Sequence, residues 1–302
     1  MQPDITAKSW AMILTLGFVW GASFIFNEVA LAALGPSWIA ALRGTLAAAL
    51  THAVWMVFPK PLFPTSDRPG NASIFAVSIM STTLPFALIS WGQQTVTAGF
   101  AGISMAAVAL IVLPLAHFFL PGERLTLRRV LGFAIGFVGV VVLIGPENLR
   151  STGASGELWG RLACVGGAAC YAISTVVMRR MPSFDPIAFS AVTLWIGAGF
   201  GIIVALISEG IPPVPSLTVI AVVATLGLFQ TAAANFLRIT VVRTAGPVFM
   251  SLTNYQVPLW SVLMGVVFLS EAVTPSLFLA MALILIGVFL SQWGALKRLF
   301  GR

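Results

Sequence analysis

Ten apolar stretches, each long enough to cross a bilayer, leave this chain few ways to fold. They run over 9–31, 37–58, 71–91, 97–119, 127–144, 157–178, 186–207, 216–237, 244–269 and 275–294. A hydrocarbon core about 30 Å thick takes ~20 helical residues at ~1.5 Å each. No water is available there to bond backbone N–H and C=O groups, so each stretch has to close its hydrogen bonds as a helix. Only 8% of the 302 residues are charged and 59% are hydrophobic, whereas soluble domains carry about 25% charged residues. A water-facing globule is excluded. An all-α integral membrane bundle is expected, with the lipid bilayer as its first partner.

Charge placement tests the count of spans. Ten spans put the N-terminus and every second break on one side, which collects Lys8, Lys60, Arg68, Arg124, Arg128, Arg129, Arg179, Arg180, Arg238, Arg243, Lys297, Arg298 and Arg302. The other side has Arg150 and Arg161, and Arg43 is left within a span. The positive-inside rule then makes both termini cytoplasmic. The net charge of +7 belongs to these short breaks, so no nucleic-acid partner is expected. The first apolar run is span-length without a small-residue cleavage site, which reads as a retained helix rather than a leader. Cys164 and Cys170, six residues apart on one helix, lie about 9 Å apart, too far for a disulfide.

The chain is duplicated. Glu123-Arg124-Leu125-Thr126 recurs 148 residues later as Glu271-Ala272-Val273-Thr274, followed at equal spacing by Gly139 and Gly287. Trp20-Gly21-Ala22-Ser23 matches Tyr171-Ala172-Ile173-Ser174 at an offset of 151. Thr97-Ala98-Gly99 and Ser104 match Thr244-Ala245-Gly246 and Ser251 at 147. The organisation expected is one five-helix repeat over 1–144, a Gly/Ser-rich linker over 145–156 and a second repeat over 157–302. Five spans is an odd number, so the second repeat enters the membrane upside down relative to the first. Secondary transporters are commonly built this way, with the substrate held between the halves.

Trp20-Gly21-Ala22-Ser23-Phe24, Ala40-Ala41-Leu42-Arg43, the Gly122–Thr126 turn, its repeat at Ser270–Thr274 and the glycine-bearing fifth and tenth spans resemble the drug/metabolite transporter superfamily, and within it the EamA-type ten-helix exporters. The resemblance covers the whole chain. It implies an inverted five-plus-five bundle around a central cavity lined mainly by spans 1, 3, 4, 6, 8 and 9. Relatives often carry a lysine eight residues after the span 1 tryptophan, where this chain has Glu28. Among family members the chain most resembles bacterial amino-acid and metabolite exporters, including those for aromatic amino acids.

Polar residues inside spans are costly and usually meet a cavity or a partner. Trp20, Ser23 and Asn27 share one face of span 1, and Ser251, Asn254, Tyr255 and Pro258 one face of span 9. Tyr171 and Ser174 share a face of span 6; Thr231, Asn235 and Arg238 share one of span 8. Such stripes hydrogen-bond a solute, or other helices. The substrate-binding set expected is Trp20, Ser23, Asn27, Glu28, Arg43, Tyr171, Ser174, Asn235, Ser251, Asn254 and Tyr255. Glu28 would titrate or meet an amino group and Arg43 would hold a carboxylate; alternatively the two form a structural ion pair. Pro114, Pro247 and Pro258 are hinge candidates, since a proline removes a backbone donor. Glu123 and Glu271 read as structural turns that cap the following helix. Gly132, Gly136 and Gly139, with Gly197 and Gly201, allow close helix approach within the bundle, with dimerisation a lesser alternative.

The expected function is a secondary carrier of the inner membrane that exports small organic metabolites, foremost amino acids, by alternating access. No catalytic residue, cofactor or metal is expected, and no Walker-type glycine loop for ATP is present. Two alternatives stay open. One is a carrier of anionic phosphate esters or nucleotide sugars. The other is a membrane enzyme acting on lipids, for which His52 and His117 supply no cluster. Monomer and homodimer are both open.

Overall fold

The computed structural model describes residues 5–65, 67–121, 126–144, 156–212 and 214–300. The first turn at Glu123 and the linker up to residue 155 therefore lie outside the described residues. Ten span-length helices follow in order: α1 (Ala7–Leu31), α2 (Pro36–Val57), α3 (Asn71–Gly92), α4 (Ala98–Phe119), α5 (Leu127–Ile144), α6 (Glu157–Arg179), α7 (Pro186–Glu209), α8 (Leu217–Thr244), α9 (Gly246–Leu269) and α10 (Pro275–Phe300).

Local chemistry sets where these helices begin. The Thr6, Thr97, Asp185 and Ser216 side chains accept from backbone N–H groups of the first turns of α1, α4, α7 and α8, each satisfying donors that the helix itself cannot. Pro36 and Pro186 sit in first turns, where the missing N–H has no intrahelical partner to lose. Large apolar side chains line the outside of the bundle: Ile207, Leu217, Phe118 and Leu127 are each at least 76% exposed. In water such a surface would aggregate; in lipid it is the proper solvent.

Helix pairing repeats across the two halves. The pairs α2–α7, α5–α10 and α4–α9 each join a helix to its counterpart. The pair α1–α9 is matched by α6–α4, α1–α8 by α6–α3, and α2–α8 by α7–α3. This is the pattern of an approximate two-fold between repeats of opposite topology. Irregularities obey it too. Helix α3 widens to a π turn over Ile79–Thr83 and α8 over Thr225–Ala233, starting 146 residues apart. Helices α4 and α9 break at Met105–Ala106 and Ser251–Leu252, again 146 apart. No apolar pattern forecast these interruptions.

Glycine contacts hold the pairs. A Cβ on Gly132 of α5 would meet the Gly287 carbonyl oxygen of α10 at 2.6 Å, and one on Gly287 would meet the Gly136 nitrogen at 2.5 Å. Gly201 of α7 faces Ala41 of α2, with Cβ–Cα 3.4 Å. Both small-residue motifs thus serve packing inside the bundle. At the ends, carboxylates staple one repeat to the other. On the side bearing the basic breaks, Asp185 receives Lys60 at 3.9 Å and Arg243 at 3.8 Å, and its N–H donates to the Leu62 carbonyl at 3.1 Å. On the opposite side, Glu209 accepts the Ser37 N–H at 2.8 Å and the Trp38 N–H at 3.3 Å at the start of α2.

Candidate functional site

Arg43 of α2 gathers residues of both repeats. Its Nε donates to Thr231 Oγ1 at 2.7 Å, and its guanidinium lies 4.1 Å from the centre of the Phe86 ring. Tyr171 of α6 is within electrostatic range. The π turn of α8 positions Thr231: its hydroxyl donates to the Leu226 carbonyl, five residues back, at 2.8 Å, leaving its lone pairs for Arg43. One edge and one face of the guanidinium are therefore held. Its terminal nitrogens make no hydrogen bond or ion pair with the described residues. A planar fork with free donors, backed by an aromatic ring, suits a carboxylate or another planar anion. Trp20, Tyr171 and Tyr255 pack as partly buried rings on the same apolar core, formed around Phe24, Phe100 and Val257. The Tyr255 hydroxyl is buried without a hydrogen-bond partner among the described residues, and such a group is costly unless something bonds it.

Glu28 is not paired with Arg43 among the described residues. It accepts a 3.4 Å hydrogen bond from Gln93 Nε2 and lies close enough to Glu271 for the two carboxylates to repel. Asn27 is committed to α3: its Oδ1 accepts from Ser90 Oγ at 2.8 Å and its Nδ2 donates to Gln93 Oε1 at 3.0 Å. Ser23 donates to the Val19 carbonyl and Ser174 to the Tyr171 carbonyl, and both are buried. Asn235 Nδ2 donates to Ser190 Oγ of α7 at 2.8 Å. Ser251 donates to the Val248 carbonyl and to Gln292 Oε1 of α10 at 2.9 Å; Asn254 is half-buried one turn further on. So Trp20, Tyr171 and Tyr255 pack on one core, with Arg43 within electrostatic range of Tyr171, while Asn27, Asn235 and Ser251 tie neighbouring helices together. Of the hinge candidates, Pro114 and Pro258 lie inside helical segments about two turns beyond the breaks in α4 and α9. Pro247 sits in the first turn of α9.

Sequence reasoning missed Phe86, Ser90 and Gln93; the last two stand three residues apart at the end of span 3, on one helical face. Glu271 was read as capping its own next helix. It caps α4 instead, 173 residues upstream in sequence, accepting from Ala98 N at 2.7 Å and Gly99 N at 2.9 Å. Burial raises the Glu271 carboxyl above its ordinary value of 4.5, and the two N–H donors oppose the rise without cancelling it.

Around this cap the far halves of α4 and α9 close on each other: Gly102 abuts Ser261, and a Cβ on Gly99 would lie 3.6 Å from Val262 Cα. On the basic side their other halves diverge. Ala107–Phe119 packs on α6, α5 and, more lightly, α10, whereas Gly246–Met250 packs on α8 and α10. The bundle is thus shut at one end and splayed at the other, as alternating access requires of each of its end states.

Comparison with known proteins agrees. The profile of the EamA-like transporter family matches residues 8–145 and 158–293, one copy in each half. An uncharacterized transporter of Archaeoglobus fulgidus is 26% identical over 63% of this chain and 65% of its own length. The uncharacterized transporter YvbV of Bacillus subtilis is 24% identical over 92% of this chain and 90% of its own. A solved crystal structure, 20% identical, superposes with a TM-score of 0.67 over 97% of this chain and 99% of that one, which shows the shared fold. The reading as a lipid enzyme falls with these matches. With a family copy over each half and ten membrane-length helices, the chain belongs to the EamA-like transporter family and is a membrane transporter.

Proposed function

We propose that this transporter exports small organic metabolites, foremost amino acids, across the cytoplasmic membrane, with its basic side facing the cytoplasm. The observation that supports this most is Arg43, held by Thr231 and Phe86 at the junction of the two repeats, with its terminal nitrogens unbonded among the described residues. A substrate carboxylate would dock on that fork, and its apolar part would lie among Trp20, Tyr171 and Tyr255. Trp20, Ser23, Asn27, Glu28, Ser174, Asn235, Ser251 and Asn254 complete the proposed lining or hold its helices in place. Glu28 contributes at the far closure, beside Gln93 and Glu271, where an ammonium group leaving the site would pass. Pro114 and Pro258, about two turns beyond the breaks in α4 and α9, and Pro247 in the first turn of α9 are the proposed hinges, and bending there would exchange the open and shut ends.

The test is counterflow of a panel of amino acids and other metabolites in proteoliposomes, with and without a pH gradient. Arg43→Ala is expected to reduce flux about tenfold or more, the scale of losing a charge-assisted hydrogen-bond pair. Trp20→Ala should act mainly on aromatic and large apolar substrates. No flux across the panel would sink the proposal, and unchanged flux in both variants would remove the site while leaving the fold.

A further inference from the structure

Helix α8 has an exposed arc where a bundle helix should be most buried. Turning the residues of its last three turns by 100° each, the buried positions Ala232, Ala234, Ile239 and Val241 bound one continuous inward arc. Ala234 and Val241 at one edge pack with Ile13 and Leu16 of α1 and with Phe249 of α9. Thr231 and Asn235, inside the arc, bond Arg43 of α2 and Ser190 of α7. Arg238 and Val242 fall in the middle of this arc, three or four residues from its buried members, and yet both are exposed. The opposite arc, Ala233, Thr240 and Thr244, is also exposed, and it faces lipid. Arg238 is thus exposed on the arc of α8 that is flanked on both sides by interhelical contacts, not on the outer arc.

Two further observations bear on what this arc receives. Arg238 makes no ion pair, hydrogen bond or ring contact with any described residue, in contrast to Arg243 one turn away, which pairs with Asp185 at 3.8 Å. Arg238 also lies toward the basic end of α8, on the segment that packs against α1 and against Gly246–Met250 of α9. Along α8, Arg238 is seven residues from Thr231, about 10 Å. It stands between the basic mouth and the Arg43 fork, on the same helical face.

We propose that Arg238 is a first docking point for an organic carboxylate admitted from the basic side, which then moves one step deeper to Arg43. The proposal rests on the transport reading above and sharpens it, because it makes the carboxylate the required group and leaves the ammonium optional. A guanidinium that is exposed on the inward arc and unpaired among the described residues attracts anions and raises their local concentration. A strong ion pair at that position would oppose onward movement, so the absence of a fixed partner among the described residues suits a transit site.

The test uses the full-length protein reconstituted in proteoliposomes, with three probes of similar size: phenylalanine, phenyllactate and phenethylamine. The two carboxylates are expected to be carried and the amine not. Arg238→Gln should raise KM for the carboxylates on the basic side about tenfold, with maximal rate largely retained, and Arg238→Lys should restore most of it. In parallel, Arg238→Cys should react with a membrane-impermeant maleimide added on the basic side and not on the other, measured against the parent protein with its buried Cys164 and Cys170. Phenyllactate carried without any amino acid would overturn the amino-acid reading and uphold this one. Equal transport of the amine, an unchanged KM in Arg238→Gln, or no labelling from the basic side would each overturn the proposal. So would failure of both carboxylates to move. A KM effect present with anionic lipid and absent in pure phosphatidylcholine would assign Arg238 to lipid headgroups and overturn it as well.

Discussion

Glu271 shows how a single carboxylate does work that its own sequence neighbourhood does not reveal. It accepts two backbone N–H groups from the start of α4, joining the end of the second repeat to the middle of the first. Loss of an N-cap acceptor costs about 1 kcal/mol, so Glu271→Ala should lower the thermal midpoint in detergent, measured by tryptophan fluorescence. Its titration has a definite sign. Because burial raises its pKa above 4.5, the folded protein keeps a proton that the unfolded chain has lost over the interval between the two values. The resulting stability is full below the unfolded value and is lost as pH rises through the folded one. Glu271→Gln cannot titrate, and its midpoint should vary less with pH across that interval than the parent's. An equal slope in both proteins would assign the dependence to other groups. The tetrapeptide repeat flagged Glu271, but its partner came only from the fold: residues 98 and 271 share no local pattern.

At the scale of helices, the pair α5–α10 is the simplest case to probe. Its backbones approach so closely at Gly132, Gly136 and Gly287 that one added methyl group would sit about 2.5 Å from main-chain atoms, which have no side-chain freedom to yield. Gly287→Ala is therefore expected to cost about 1–3 kcal/mol through overpacking. Gly294→Ala, seven residues further along the same helix with open space at the Cβ, should be neutral or slightly stabilising. Equal midpoints for the two variants would refute the close-packing account. The glycine spacing was readable from sequence because it recurs every four residues. The π turn that aims Thr231 at Arg43 was not, since a π turn in α8 needs no proline and leaves hydrophobicity unchanged.

On the scale of the whole molecule, the bundle stands closed at the end capped by Glu271 and splayed at the basic end. Carriers that alternate between such forms are arrested when one end is tied. Gly99 and Val262 are close enough for a disulfide, with a Cβ on Gly99 lying 3.6 Å from Val262 Cα. Oxidising the double variant Gly99→Cys, Val262→Cys should abolish counterflow, and reduction should restore it. Undiminished flux with the cross-link fully formed would mean that this end does not open during transport.

Sequence alone determined the ten spans, their alternation and the duplication. Each follows from a rule that acts locally or by simple repetition: span length against bilayer thickness, basic residues against topology, and recurrence at a nearly constant offset. It also singled out Arg43, because a charge within a span is conspicuous against an apolar background. Tertiary structure decided the partners. Arg43 meets Thr231 and Phe86 instead of Glu28, Asn27 turns to α3, and Arg238 is exposed on the same arc of α8 as Thr231 and Asn235. Inside a membrane, lipid and protein neighbours are equally apolar, so hydrophobicity cannot say which face of a helix turns inward. That choice is made by small residues, interrupted turns and a few polar bonds between distant segments.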